Sequence, residues 1–268
     1  MTNSEISNPA DIDPQVKRDF FVKLALGNRA LFKLHQDAGH IRRYKPVEGS
    51  PRLERWGDPT QHCLVEAAAS QVLADLLNLS DTDRQDLVAA AFIHDAGKRK
   101  EIEALQAAKA ANPDITPEEI DVVDKIAGEQ SKKNLLDAGI GQRVVDLTSA
   151  VAHGSLDQFA YLNGRNEMRL RPDVPTVTMA MHYIDDVTNK TNIVRFDERI
   201  DGLEAIAEER YLYNPKGRAI WGGRTYFEAQ REVGHLIEGR LAEIAGISDP
   251  QTLPDVINAG LVDLIVKS

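Results

Sequence analysis

The sequence has little of four features that each mark a particular class of protein. It contains one cysteine, Cys63, so an intramolecular disulfide framework is excluded and a reducing compartment is expected. No apolar run is long enough to cross a bilayer, and residues 1–13 are polar and acidic, without the apolar segment of a signal peptide. These absences predict a cytoplasmic protein that does not associate with a membrane.

Positive charge is also scarce. The chain has 42 acidic and 32 basic side chains, which give a formal net charge of -10. Such a chain repels the phosphate backbone of nucleic acids and anionic membrane surfaces. A DNA or RNA polymer is therefore disfavoured as a partner, whereas a small phosphorylated molecule held by a few cationic side chains is compatible with this charge.

Strand patterns are the fourth scarce feature, because almost no alternating apolar run is bounded by turns. Apolar residues instead recur at helical spacing, and helix start signals precede several segments, such as the capping box Thr116-Pro117-Glu118-Glu119. With 268 residues, the chain is long enough to bury a substantial core. The sequence predicts an all-α protein that forms one helical domain over residues 1–268.

Within this domain, we expect a central helical bundle over about residues 58–190. An N-terminal helix over residues 14–35, interrupted near Asn28, and C-terminal helices over residues 200–267 are expected to pack on it. A short helix is expected near Leu156 to Leu162. The long amphipathic helix from about Thr225 to Ala245 offers a surface through which copies of the chain could form a homo-oligomer.

One stretch predicts a buried polar site. The apolar run from Ala89 to Ile93 ends in His94 and Asp95, and Gly97 is expected to stop the helix with a left-handed turn. A buried imidazole and carboxylate need a metal ion or a hydrogen-bond network as a partner, since unpaired burial costs several kcal/mol. Taken alone, the pair also fits an ordinary helix end, in which the two side chains cap the neighbouring turns.

Further candidate ligands lie on other helices. His62 falls in the first turn of one predicted helix, His153 follows another, and a fourth carries His182 and Asp185. Residues three apart share a helix face, so His182 and Asp185 can enter one pocket, whereas Asp186 points about 100° away. A set of imidazoles and carboxylates favours Mn, Fe, Co, Ni or Mg over a closed structural zinc site.

The order of these residues resembles the HD-domain metal-dependent phosphohydrolases. Their signature is a histidine on one helix, a His-Asp pair on the next and an aspartate on a later helix. It is matched by His62, by His94-Asp95 within Phe92-Ile93-His94-Asp95-Ala96-Gly97-Lys98, and by Asp185, with Asn189 four residues later as is frequent in the family. The resemblance covers about residues 58–189. It implies an HD-like bundle with four metal ligands: His62, His94, Asp95 and Asp185.

The resemblance also implies an activity. A metal-activated water would cleave a small, nucleotide-like phosphate monoester or diester, with Asp95 and Lys98 as catalytic residues. Lys98 and Arg55 would neutralise phosphate charge, and His153 and His182 would contact the substrate or bind a second metal ion. Two alternatives stay open, namely a paired-iron oxygenase and a non-catalytic nucleotide-sensing module.

Several of these residues also have simpler interpretations. Lys98 fits an exposed lysine and His182 fits a core histidine. Asp186 fits a solvated acid or a group that orients a ligand histidine, and Cys63 fits a small buried thiol. Trp221 fits a buried anchor beside its glycine turn. Three histidines are assigned no function: His35, His40 and His235.

Overall fold

Helices form nearly all of the regular structure in the computed structural model, which describes residues 9, 12–41, 58–151, 155–207 and 215–268. In chain order they are α1 (Pro14–Gly27), α2 (Arg29–Asp37), α3 (Asp58–Leu76), α4 (Asp81–Ile93), α5 (Lys98–Ala111), α6 (Pro117–Asp137), α7 (Gln142–Thr148), α8 (Leu156–Phe159), α9 (Thr176–Val187), α10 (Phe196–Glu204), α11 (Pro215–Ile220), α12 (Tyr226–Ala245) and α13 (Leu253–Lys267). Short 3₁₀ turns occupy Ser149–Val151 and Pro250–Thr252. The predicted all-α class is confirmed.

Strands in the described ranges are confined to two short antiparallel hairpins. β1 (Ala160–Leu162) pairs with β2 (Met168–Leu170), and β3 (Thr188–Asn189) pairs with β4 (Asn192–Ile193). The helix that we expected to reach Leu162 therefore ends at Phe159 and continues as β1. Strands of two or three residues are too short to leave a clear alternating pattern in the sequence.

Local signals begin and separate the helices as predicted. The Thr116 hydroxyl accepts a hydrogen bond from the Glu119 N–H at 3.3 Å, and the Glu119 carboxylate accepts one from the Thr116 N–H at 2.8 Å. Thr225 and Glu228 form the same capping box at the start of α12. The expected interruption of the N-terminal helix is confirmed at Asn28, between α1 and α2.

Three helices, α3, α4 and α9, meet in the middle of the fold. Their facing side chains include Leu73, Phe92 and Ile184, all fully buried, within one hydrophobic cluster that extends from Ile12 to Ile265. α12 packs closely on α10, since Gly234 lies where a Cβ would collide with the Phe196 ring. None of the helices in the described ranges is both long and apolar enough to cross a bilayer.

A polar network joins α9, α10 and α12. The hydroxyl of Tyr183 donates a hydrogen bond to Glu238 Oε1 at 2.8 Å, and both side chains are buried. His235 lies 3.4 Å from Glu238 Oε2 and 3.0 Å from Asp197 Oδ1. The hydrogen bond with Glu238 and the charge of Asp197 raise the pKa of His235.

This network predicts a stability effect that depends on pH. The pKa of His235 is higher in the folded protein than in the unfolded chain, where it is near 6.5. Protonated His235 therefore stabilises the fold fully at pH values below 6.5, and this contribution is lost as the pH rises through the pKa of the folded protein. Because His235 is 41% exposed, solvent screens the ion pairs and the effect is small. We expect His235→Gln to lower the melting temperature by about 1–3 °C near pH 5.5.

Thermal melts of both proteins near pH 5.5 and near pH 8.5 check this expectation. The difference between the two proteins should shrink at the higher pH, where the wild-type imidazole becomes neutral. An equal difference at both pH values would contradict it, because the loss would then come from packing against Phe196 and not from charge.

Candidate metal centre

Four side chains from three helices converge in the middle of the fold. His62 and Glu66 lie one turn apart on α3, His94 follows the last residue of α4, and Asp185 lies near the end of α9. One donor atom from each lies within 4.8 Å of the others. This group, the candidate metal centre, could hold a metal ion. It includes three of the four ligands that the resemblance implied.

Asp185 connects the two imidazoles. Its Oδ1 atom lies 3.2 Å from His62 Nε2 and 3.5 Å from His94 Nε2. Burial disfavours ionisation of this carboxyl, but the contacts with His62 and His94 outweigh burial and hold the pKa of Asp185 well below its usual range. The side chain of Asp185 is 24% exposed and that of His94 is 2% exposed, so the centre opens to solvent on the Asp185 side.

Backbone acceptors orient both imidazoles. His62 Nδ1 lies 3.2 Å from the carbonyl oxygen of Lys190, and His94 Nδ1 lies 3.1 Å from that of Ala91. A neutral imidazole that donates from Nδ1 keeps a lone pair on Nε2, and both Nε2 atoms face Asp185. The carbonyl of Lys190 belongs to the turn between β3 and β4, where Lys190 adopts a left-handed backbone with φ of 58°. This arrangement is typical of histidines that bind a metal through Nε2.

Glu66 is the residue of this group that the sequence reasoning missed. Its side chain is fully buried, with Oε1 at 2.9 Å from His62 Nε2 and Oε2 at 3.1 Å from His94 Nδ1. Burial raises the pKa of Glu66 to about 7. Burial lowers the pKa values of His62 and His94, but the charge of Glu66 and the contacts with Asp185 together outweigh burial and raise both values well above normal. The signal available in the sequence was its position four residues after His62, on the same helix face.

Unpaired polar atoms show that these residues fit a cation. Both carboxylate oxygens of Glu66 and the Nε2 atom of His94 are buried without a hydrogen bond to any described residue. Each such group costs roughly 1–3 kcal/mol when left unsatisfied. A metal ion would pair with His94 Nε2 and with one oxygen of Glu66 at once, and a set of imidazole and carboxylate donors suits a divalent cation.

Asp95 and Lys98 lie beside the group of four. Asp95 Oδ2 is 3.9 Å from His94 Nε2, and Asp95 Oδ1 is 4.0 Å from Lys98 Nζ. Burial raises the pKa of Asp95, but His94 and then Lys98 outweigh burial and lower it overall.

The expected left-handed turn at Gly97 is wrong, since its φ is -81°. Glycine is needed there because a Cβ would collide with Ser131.

Two histidines without an assigned role contact backbone carbonyls at the end of α4 and in the turn that follows it. His35 Nε2 lies 2.7 Å from the Phe92 carbonyl oxygen, and His40 Nε2 lies 3.0 Å from that of Ala96. The last carbonyls of a helix have no partner within the helix, so these contacts satisfy them. They also fix the backbone on either side of His94 and Asp95. No pattern in the sequence connects His35 and His40 with this helix end, because the contacts span more than 50 residues.

His182 and Asp186 form a separate buried pair. His182 Nε2 lies 3.2 Å from Asp186 Oδ2, and His182 Nδ1 lies 2.8 Å from the Ala150 carbonyl oxygen. Gln230 on α12 donates a hydrogen bond to Asp186 Oδ1 at 2.9 Å. The interpretation of Asp186 as a solvated acid is therefore wrong, because α12 covers it and leaves it 5% exposed. His182 contacts Asp186 and is not part of the group around Asp185.

Other expectations have simpler outcomes. Cys63 is a fully buried thiol and Trp221 is a buried anchor, as predicted. The side chain of Lys98 is 42% exposed and faces Asp95. Arg55 and His153, expected to contact the substrate or a second metal ion, lie outside the described residues.

Comparisons with protein-family models, with curated proteins and with solved structures find no match for this chain. The resemblance to HD-domain phosphohydrolases therefore stays a prediction, carried by the residues of the centre.

Proposed function

We propose that the protein is a metal-dependent phosphohydrolase that cleaves a small phosphate ester or nucleotide, in a cytoplasmic setting. The observation that carries the proposal is that His62, His94 and Asp185 meet at one point. These residues follow one another in the order of the HD-domain signature, and their separation in sequence makes such a meeting by chance uncommon. The choice of a small substrate is supported by the net charge of -10.

Each residue has a role in this proposal. A divalent ion such as Mn, Fe, Co, Ni or Mg would polarise the phosphoryl group and lower the pKa of water. His62, His94 and Asp185 would hold this ion. Asp95 has a lowered pKa and is ionised near neutral pH, so at the open side of the centre it can complete the coordination or accept a proton. Lys98, beside Asp95, would neutralise the charge that develops on phosphate.

A screen of substrates against metal ions tests the proposal. Protein freed of metal with a chelator is mixed with each of these divalent ions and with nucleotides, cyclic nucleotides and sugar phosphates, and the products are followed by phosphate release and chromatography. We expect turnover with at least one pair, and a loss of about 10²-fold or more in Asp95→Ala. Glu238→Gln is the matched control, since that buried acid contacts Tyr183 and His235.

Three results would contradict the proposal. If the protein turns over none of the substrates with any of the metal ions, the phosphohydrolase proposal is wrong. Nucleotide binding without turnover would favour the sensing module. Two iron ions per chain, with a visible absorption band and consumption of dioxygen, would favour the oxygenase.

A further inference from the structure

We propose that Glu66 is a direct metal ligand and that its carboxylate raises the affinity of the centre for Mn²⁺ more than the affinity for Zn²⁺. Glu66 has no place in the His, His-Asp, Asp signature, so the resemblance does not supply this role. The inference depends on the metal centre alone and not on the reaction that the centre catalyses.

The surroundings of Glu66 require a positive partner. Its neighbours along α3 are the buried residues Val65 and Ala67, and the glutamate itself is 0% exposed. Neither carboxylate oxygen has a well-aligned hydrogen bond within the described chain. An ionised carboxylate is not stable in such a place without a cation.

The distance to His62 fits a metal ion as the partner. When His62 is neutral and donates from Nδ1 to the Lys190 carbonyl, it has a lone pair on Nε2, and this atom lies 2.9 Å from Glu66 Oε1. Two lone pairs at that distance repel each other unless a cation, either a proton or a metal ion, lies between them. Adjacent donors that are each about 2.1 Å from an octahedral ion are about 3 Å apart. The contacts of His62 Nε2 with Glu66 and with Asp185, at 2.9 and 3.2 Å, both fit this spacing.

A purely orienting role for Glu66 agrees less well with the geometry. Glu66 Oε2 lies 3.1 Å from His94 Nδ1, but that nitrogen already has the Ala91 carbonyl as an aligned acceptor. The tautomer of His94 is therefore fixed without Glu66. This leaves Glu66 Oε1, the oxygen beside His62 Nε2, available to a cation.

An added carboxylate raises the affinity of the centre for some metal ions more than for others. With Glu66, two carboxylates face the two imidazoles, and Asp95 adds a third at the edge of the centre. Carboxylate oxygens suit Mn²⁺ and Mg²⁺, whereas imidazole nitrogens suit Zn²⁺. Removing the charge of Glu66 should therefore weaken binding of Mn²⁺ more than binding of Zn²⁺.

Titration of the chelator-treated protein with each metal ion alone tests this inference. Glu66→Gln keeps the shape of the side chain and removes its charge. We expect its Mn²⁺ affinity to fall by about 100-fold and its Zn²⁺ affinity by about tenfold or less, measured by calorimetry and, for Mn²⁺, by electron paramagnetic resonance. Glu238→Gln removes the charge of another buried glutamate and should leave both affinities unchanged.

The results that would overturn the inference are distinct. Unchanged affinities in Glu66→Gln would show that Glu66 is not a ligand, and equal losses for the two ions would show that it does not raise the affinity for Mn²⁺ more than the affinity for Zn²⁺. If Glu66→Gln does not fold, as judged by circular dichroism, Glu66→Asp is used in its place. The aspartate keeps the negative charge, but its side chain is one methylene shorter, so the carboxylate lies farther from the metal ion. We then expect a partial loss of Mn²⁺ affinity, and an unchanged affinity would refute the inference. No substrate is present, so failure of the phosphohydrolase proposal would not affect this result.

Discussion

Asp185→Asn is expected to reduce metal affinity by roughly 10²- to 10³-fold and to remove the proposed metal-dependent activity. The carboxylate oxygen of Asp185 faces the Nε2 atoms of both His62 and His94. Breaking a buried charged contact from one side costs about 3–5 kcal/mol, which gives a loss of this size. Calorimetry with Mn²⁺ or Co²⁺ measures the affinity, and metal analysis of the purified protein measures the occupancy.

The neighbouring acid provides the control for this experiment. Asp186→Asn removes a carboxylate of the same helix turn that contacts His182 and Gln230 and lies outside the group of four. We expect this variant to retain its metal affinity. The assignment of the centre would be wrong if Asp186→Asn lost as much affinity as Asp185→Asn, or if Asp185→Asn still bound metal normally.

Removal of the metal ion is expected to lower the melting temperature by about 5–10 °C. A ligand present at about 100 times its dissociation constant stabilises the folded state by about 2.7 kcal/mol, and each kcal/mol shifts the melting temperature of a chain of this size by about 2–4 °C. The structural cause is the burial of Glu66 and His94, because both carboxylate oxygens of Glu66 and the Nε2 atom of His94 lack an aligned hydrogen bond to any described residue.

Thermal melts with and without a chelator measure this shift, and adding the divalent ion back should reverse it. Asp185→Asn should show no response to the chelator, because it would bind little metal from the start. A wild-type protein that loses its metal by analysis yet melts at an unchanged temperature would contradict the expectation.

The accuracy of the sequence predictions depended on how local each signal was. The capping boxes at Thr116 and Thr225 and the interruption at Asn28 were predictable because residues within one turn determine them. The β1–β2 hairpin was missed because three-residue strands carry too little pattern. His62, His94 and Asp185 were found through their order along the chain, which a family resemblance can supply without a structure.

The errors at the site have one physical origin. Glu66 was overlooked because a glutamate on a helix normally faces water, and only the packing of α4 and α9 on α3 shows that this one is buried. Asp186 was predicted to be exposed to solvent for the same reason, whereas Gln230 on α12 covers its side chain. His35 and His40 reach the end of α4 only through the fold.

The sequence by itself determined the helical class, the capped starts of several helices and the order of three metal-binding candidates. These properties follow from hydrogen bonds and apolar spacing within a few residues of each other. Tertiary structure alone decided which carboxylates face the metal centre and which histidines support it. The burial of a charged group depends on elements far apart in the chain, so it is fixed only when those elements pack together.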